Sequence, residues 1–476
     1  MLDRAKYDQA IKKAKEEQIK EMTLRLSEVF DVNTDVRNQQ ITIAPDDALI
    51  EELMNIEIPR NGRNAREIAD ELVSKVFKSS LLTQHPRFFS FVASGVSPYS
   101  IAGAILSDIY NINNCGYETS PPISIIEEKL IKWMGSRAGY DDQCGGVFTS
   151  GGSLSNLTGM IAARGNMLTE DDYPIGTAYL SDQAHSSIKK GLRLIGVRHD
   201  NIRIIPSDDQ FQMDCAALES AIKEDLALGK KPFLVVATIG TTNTGSIDPF
   251  EAIADLADKY NMWMHVDGAF GGSILFSNIY NHLAKGVERA DSLSWDTHKW
   301  SMQVYSCSCI IAKDKKHLIN VFAEHPEYLA DVIDSDHTDS WDLGIEMSRP
   351  ARAIKLWYTV QAMGTDLLAD VIDYSFLNGL VAEKELKKYE NWEITSQPMC
   401  GTITFRYAPP GLSEEDLDNL NGAISQQIIS ENYAYIVTTT VKNKRVLRMN
   451  MINCNTTTDD VKLTIEHLNE IAIALS

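Results

Sequence analysis

The run Asp291-Ser292-Leu293-Ser294-Trp295-Asp296-Thr297-His298-Lys299-Trp300 places an ammonium after a histidine and before a tryptophan, at the end of a β-reading segment. Burial disfavours the charged form of a lysine, and a lysine with a depressed pKa can attack a carbonyl. A His-Lys pair alone is ordinary surface chemistry, because charged residues are mostly exposed. The upstream run Met262-Trp263-Met264-His265-Val266-Asp267-Gly268-Ala269-Phe270-Gly271-Gly272 changes its weight. It reads as a buried strand that ends in a carboxylate and small residues. Asp267 alone could cap a helix. Together, Asp267 and Lys299 read as a cofactor site. The chemistry they suit is that of pyridoxal phosphate, whose ring nitrogen needs a carboxylate partner to stay protonated and act as an electron sink.

Three further stretches have the right chemistry to complete such a site. Gly151-Gly152-Ser153-Leu154-Ser155-Asn156 joins a short strand at Phe148 to a helix through Ala163. A glycine turn opening a helix offers free N–H groups and the positive dipole end to an anion, and Ser153 and Ser155 add hydroxyls. Gly-Gly-Ser is also ordinary turn chemistry. His185 follows Leu180-Ser181-Asp182-Gln183-Ala184, past a strand end, where a histidine most often caps or is solvated. Gly240-Thr241-Thr242-Asn243-Thr244-Gly245 reads as a turn that carries Thr242.

The two strand-end runs, with Gly151-Gly152-Ser153 and His185-Ser186-Ser187 upstream, in this order resemble the group II pyridoxal-phosphate decarboxylases, a family that includes the aromatic-amino-acid, glutamate and histidine enzymes. The likeness runs from about Pro59 to the last strands and is greatest to bacterial aromatic-L-amino-acid decarboxylases of the tryptophan type. The resemblance implies pyridoxal 5'-phosphate attached at Lys299, Asp267 at the ring nitrogen and His185 stacked on the ring. It further implies a phosphate held at Gly152, Ser153, Leu154 and Ser155, with Ser292, Asp296 and His298 nearby and Thr242 and Ala269 at the cofactor's side. In Glu324-His325-Pro326-Glu327-Tyr328-Leu329-Ala330-Asp331 it makes Tyr328 the acid that returns a proton to Cα. The polar stretch through Ser340 reads as a long loop, the kind that often covers an active site.

Substrate contacts are expected from Phe91, Ser94, Cys115, Ser348 and Arg349. Phe91 lies in the aromatic run His85-Pro86-Arg87-Phe88-Phe89-Ser90-Phe91-Val92. An enzyme for glutamate should aim a fixed cation at the distal carboxylate. Arg87, Arg349 and Arg352 are available, none visibly aimed there, so the aromatic cluster favours tryptophan or phenylalanine, with tyrosine next. Thr83 and Cys115 stand where the animal aromatic enzymes have aromatic residues, which makes the pocket roomier. The alternatives are an acidic amino acid such as glutamate, or another lyase on the same fold.

The rest of the chain must position these residues. Its 476 residues exceed one ordinary core, and a net charge of −21 argues against nucleic acid or an anionic membrane as partner. Seven scattered cysteines without a Cys-x-x-Cys pair read as reduced thiols, with no disulfide framework or metal site. No run approaches the ~18 apolar residues of a membrane span, and the charged first twenty residues do not read as a signal peptide. A cytoplasmic protein is expected. Residues 1–95 read as a helical arm without a core of its own, which the resemblance assigns to homodimerisation with shared active sites. Residues 96–365 alternate strand and helix. The strands at 146–148, 177–180, 202–205, 233–238, 262–266, 292–295 and 306–312 include continuously apolar ones that suit burial on both faces. This predicts an α/β domain with a mostly parallel seven-stranded sheet, which by resemblance is the fold-type-I, aspartate-aminotransferase-like fold. Residues 366–476 read as a small α+β domain, with strands at 392–396, 402–407, 435–441 and 445–451.

Overall fold

The computed structural model describes residues 35–324 and 338–476, together with isolated residues before 35. Seven strands, β1 (Gly145–Thr149), β2 (Gly176–Ser181), β3 (Ile202–Ile205), β4 (Lys231–Thr238), β5 (Trp263–Asp267), β6 (Ser292–Trp295) and β7 (Ser308–Ala312), form one sheet in the order β1-β7-β6-β5-β4-β2-β3. Only β7 runs against its neighbours β1 and β6. The expected mostly parallel sheet is therefore present.

The apolar runs of β4 and β5 are buried because helices cover both faces. Val235, Ala237, Met264 and Val266 point to a core shared with Leu218 and Ile222 of the helix Cys215–Ala227 and Ile253 of the helix Phe250–Tyr260. The alternate residues Leu234, Val236 and Trp263 meet Met160 of the helix Gly152–Met167 and Ile188 and Leu192 of the helix Ser186–Leu194. Period-two alternation is thus intact, but neither face is polar. Chain segments leave the carboxyl ends of β1, β2, β4, β5 and β6 on one side of the sheet, the side where ligands of open α/β sheets sit.

A second, antiparallel sheet has the order β10-β11-β9-β8, built from β8 (Trp392–Met399), β9 (Thr402–Tyr407), β10 (Thr438–Val441) and β11 (Lys444–Asn450). Ile403, Phe405, Leu447 and Met449 pack with Ile424, Ile465 and Leu468 of the helices Glu414–Ser430 and Thr458–Leu475. Ser413 caps the first of these, accepting from the Asp416 N–H at 3.1 Å.

Two strands start two or more residues later than expected. The strand expected from 435 begins at Thr438, because Tyr435 is engaged with the aromatic run instead: its N–H donates to the Arg87 carbonyl at 3.0 Å and its carbonyl accepts from Phe89 N at 3.0 Å. The strand expected from 306 begins at Ser308, because His298 N donates to the Cys307 carbonyl at 2.9 Å and closes the intervening residues into a loop. In the arm, the helices Asp47–Met54 and Ala65–Glu71 and the π-helical Leu72–Phe77 bury no residue. The first 34 residues of the expected helical arm, a few isolated positions excepted, and the segment holding Tyr328 lie outside the described residues. Among the described residues no helix is long and apolar enough to cross a membrane.

Candidate active site

A cavity of about 660 Å³ opens where those segments converge. Of the residues singled out from sequence, Phe91, Gly152, Ser153, Leu154, His185, Thr242, Asp267, Ala269, Asp296, His298 and Lys299 line it. Their positions follow from local rules. Asp267 is the last residue of β5 and buried. Its Oδ1 accepts from Ala269 N at 3.1 Å and from Ser294 Oγ at 3.4 Å, and none of the described hydrogen bonds ends on Oδ2. His185 is the N-cap of the helix Ser186–Leu194, accepting from Ser187 N at 3.3 Å, and also faces the cavity. Its capping and cavity-lining readings hold together.

Lys299 is a quarter exposed, with Nζ 2.9 Å from Asp296 Oδ2. Here the electrostatics correct the sequence reading. Burial is the largest single influence and pulls the Lys299 pKa down, but the Asp296 charge and hydrogen bond, aided by Asp267, outweigh it and hold the pKa above the usual lysine range. The reciprocal effect depresses the Asp296 carboxyl despite its burial. Asp296 Oδ1 also accepts a short hydrogen bond from Ser308 Oγ. His298 sits 3.7 Å from Asp296 by Nε2 and keeps Nδ1 2.8 Å from the Cys307 carbonyl, while burial lowers its pKa.

Several expected site residues are elsewhere. Ser155 and Ser292 do not line the cavity. Ser155 Oγ bonds Thr149 Oγ1 and Ser308 Oγ, each at 2.7 Å, behind the glycine turn. Ser292 Oγ accepts from Trp263 Nε1 at 2.9 Å and bonds His265 Nδ1 at 2.8 Å. Burial pushes His265 down to about 4, so it is neutral, and its Nε2 reaches Asn156 Oδ1 at 2.9 Å. Arg349 is not free for a substrate carboxylate: its side chain is fully buried, paired with Glu127 at 2.6 and 3.0 Å, and donates to the Phe148 carbonyl. Arg352 pairs with Glu346 at 2.8 Å and Arg87 lies 4.2 Å over the Tyr433 ring. Ser94, Cys115 and Ser348 are likewise outside this chain's cavity lining. Sequence reasoning missed Tyr305 and Thr238, which do line it. Tyr305, with its ring 4.6 Å from that of His298, stands just before the strand expected from 306 and belongs to none of the motifs.

These residues fit pyridoxal phosphate. A Cβ on Gly152 would stand 2.7 Å from Asp296 Oδ2 and 2.8 Å from the Ala269 Cβ, so this turn comes close to its neighbours only as glycine. The buried Thr238 Oγ1 has no partner among the described residues and lines the same cavity. A lysine, an available carboxylate oxygen and a helix N-terminus share one space of suitable size.

Comparison with known proteins agrees. Residues 48–408 match the family model described as the pyridoxal-dependent decarboxylase conserved domain. The chain is 30% identical over 451 residues, 94% of each chain, to an aromatic-L-amino-acid decarboxylase of Bacillus atrophaeus. It is 32% identical over 372 residues to the human cysteine sulfinic acid decarboxylase, covering 76% of this chain and 75% of the relative. The crystal structure of Oryza sativa TDC with PLP and tryptamine superposes with a TM-score of 0.91 at 25% identity, over 96% of this chain and 98% of that one.

Proposed function

The chain belongs to the pyridoxal-dependent decarboxylases, and on that premise we propose that it removes the α-carboxylate of an aromatic L-amino acid. Tryptophan (giving tryptamine) or phenylalanine is preferred, with tyrosine next, and carbon dioxide is the second product. The observation that carries this reading is the cavity wall. Phe91 lines it while 55% exposed, beside Val92, Phe270 and Tyr305. Covering apolar area there contributes roughly 25 cal/mol per Å². Lys299 is the one Lys or Arg among the described lining residues, and Asp296 pairs it, so a distal carboxylate would enter largely uncompensated. The second reading, an acidic amino acid, is favoured by the similarity to cysteine sulfinic acid decarboxylase. Competition between L-tryptophan, L-phenylalanine and L-glutamate, followed by amine product, decides between them. A glutamate preference removes the aromatic reading and leaves the cofactor assignment intact.

In this reading Lys299 carries the cofactor and Asp267 keeps the ring nitrogen protonated. Bound there, pyridoxal phosphate supplies the electron sink for the bond broken at Cα. The Gly151–Ser153 turn holds the phosphate, Thr242 lies at the cofactor's side, and His185 covers the ring. Tyr328, outside the described residues, is the proton donor to Cα.

The reading extends to assembly. The enzyme is a cytoplasmic homodimer with shared active sites, divided into an arm (1–95), a large cofactor domain (96–365) and a small domain (366–476). The coreless arm helices support this, as do the exposed Ile109 and Tyr110 (each 73%) at the end of the helix Pro98–Tyr110. Sedimentation that finds a fully active monomer at assay concentration would remove the dimer claim.

A further inference from the structure

The aromatic wall of the cavity is held by the small sheet, not by the sheet that carries Lys299 and Asp267. Phe91 has φ 55°, in the left-handed region that bulky side chains avoid, so neighbouring contacts must hold it there. Its carbonyl accepts from Arg448 Nη1 at 2.6 Å. Arg448 belongs to β11 and is 4% exposed. Among the described residues no carboxylate pairs with it, and its Nε and Nη2 have no partner. Burial pulls its pKa down to about 10, which still leaves it charged at neutral pH. A buried cation without a counter-ion is destabilising unless its hydrogen bonds compensate.

The rest of the aromatic run is tied to the same sheet. Asn450 N donates to the Phe89 carbonyl at 2.9 Å, and Ser90 Oγ links the Tyr435 carbonyl to Val437 N at 2.9 and 3.0 Å. Phe88 stacks on Tyr435 with centroids 5.0 Å apart, and the Phe91 ring lies 6.1 Å from that of Phe88. The final link, from the sheet to the strained residue itself, is the Arg448 guanidinium. A charge-assisted bond of that length is about twice as strong as a neutral one.

We propose that Arg448 is a positioning residue: by holding the Phe91 carbonyl it fixes the left-handed turn and the ring at the cavity wall, so that β11 sets which substrate side chain is accepted. This rests on the reading of Phe91 as a substrate contact. Arg448 acts through Phe91, and its effect must vanish where the Phe91 ring is absent.

The test is a double-mutant cycle on the holoenzyme with Arg448→Met, Phe91→Ala and the pair, using the amino acid that wins the competition assay. Arg448→Met should raise KM on the order of tenfold, within the range of coupled contacts, with a smaller change in kcat. Arg448→Lys, which keeps one charged donor, should restore most of the loss. In the Phe91→Ala background, Arg448→Met should add less than about twofold. If it multiplies KM there by the same factor as in wild type, Arg448 acts independently of Phe91, for instance on the substrate carboxylate, and the proposal is overturned. Should Arg448→Met not fold, Arg448→Gln carries the same cycle. A glutamate preference would remove the aromatic-substrate reading, yet the coupling between the two residues is read from the cycle whichever substrate is used.

Discussion

Replacing Gly152 by alanine tests the phosphate cradle without touching a polar group. The added Cβ would meet Asp296 Oδ2 at 2.7 Å, Asp296 Oδ1 at 2.9 Å and the Ala269 Cβ at 2.8 Å. Asp296, whose carboxylate is bonded to Lys299 Nζ and Ser308 Oγ, can yield only toward the open cavity that it lines. One methyl forced into such a site typically costs about 1–3 kcal/mol. In the apoprotein the strain relaxes by moving Asp296 toward the cavity, so little of it appears in stability. When pyridoxal phosphate binds, that space is filled and the cost is exacted from affinity. At 1.4 kcal/mol per decade, Kd should rise by about 5- to 150-fold. Titrating apoprotein with cofactor, read by absorbance and tryptophan quenching beside a urea melt of the apoprotein, measures both quantities. A Kd within twofold of wild type, with apoprotein stability lowered instead, refutes the placement of the phosphate at this turn.

Lys299→Ala should abolish turnover, and borohydride reduction of wild type followed by peptide mapping should find the pyridoxyl group on Lys299; a label elsewhere sinks the assignment. Because Asp296 raises the Lys299 pKa, little neutral amine exists at pH 7, so cofactor attachment should quicken as pH rises, and Asp296→Asn should move that rise to lower pH. Tyr328→Phe should cut amine yield by about 10²–10⁴, the contribution of a positioned acid, with aldehyde appearing in air. Amine formation equal to wild type would make Tyr328 a bystander.

What could be read in advance was local. The strands of the large sheet are legible because burial on both faces leaves near-continuous apolar runs, and all seven appear within about two residues of their expected places. Asp267 and Lys299 are legible because the first ends β5 and the second follows the end of β6, next to small or aromatic residues, and parallel strands bring their carboxyl ends to one side. His185 and the Gly152 turn follow from helix-start chemistry written within four residues.

The errors have one physical source, partners distant in the chain. Arg349 looked free until Glu127, from an earlier helix, was brought against it; a buried guanidinium must be paired, and only packing decides by whom. Ser155 and Ser292 carry site-like hydroxyls but turn inward to Thr149, Ser308, Trp263 and His265. The sign of the Lys299 shift depended on a 2.9 Å contact that sequence spacing permits without requiring.

The sequence by itself determined the layered sheet and the cofactor chemistry, because continuous apolar runs and strand-end motifs act over a few residues. Only the tertiary structure decided which arginines are engaged, which hydroxyls face the cavity, and that the wall residue Phe91 is gripped by Arg448, 357 positions away. Hydrogen bonds and ion pairs between remote segments depend on the geometry of the folded chain, and no local pattern encodes it.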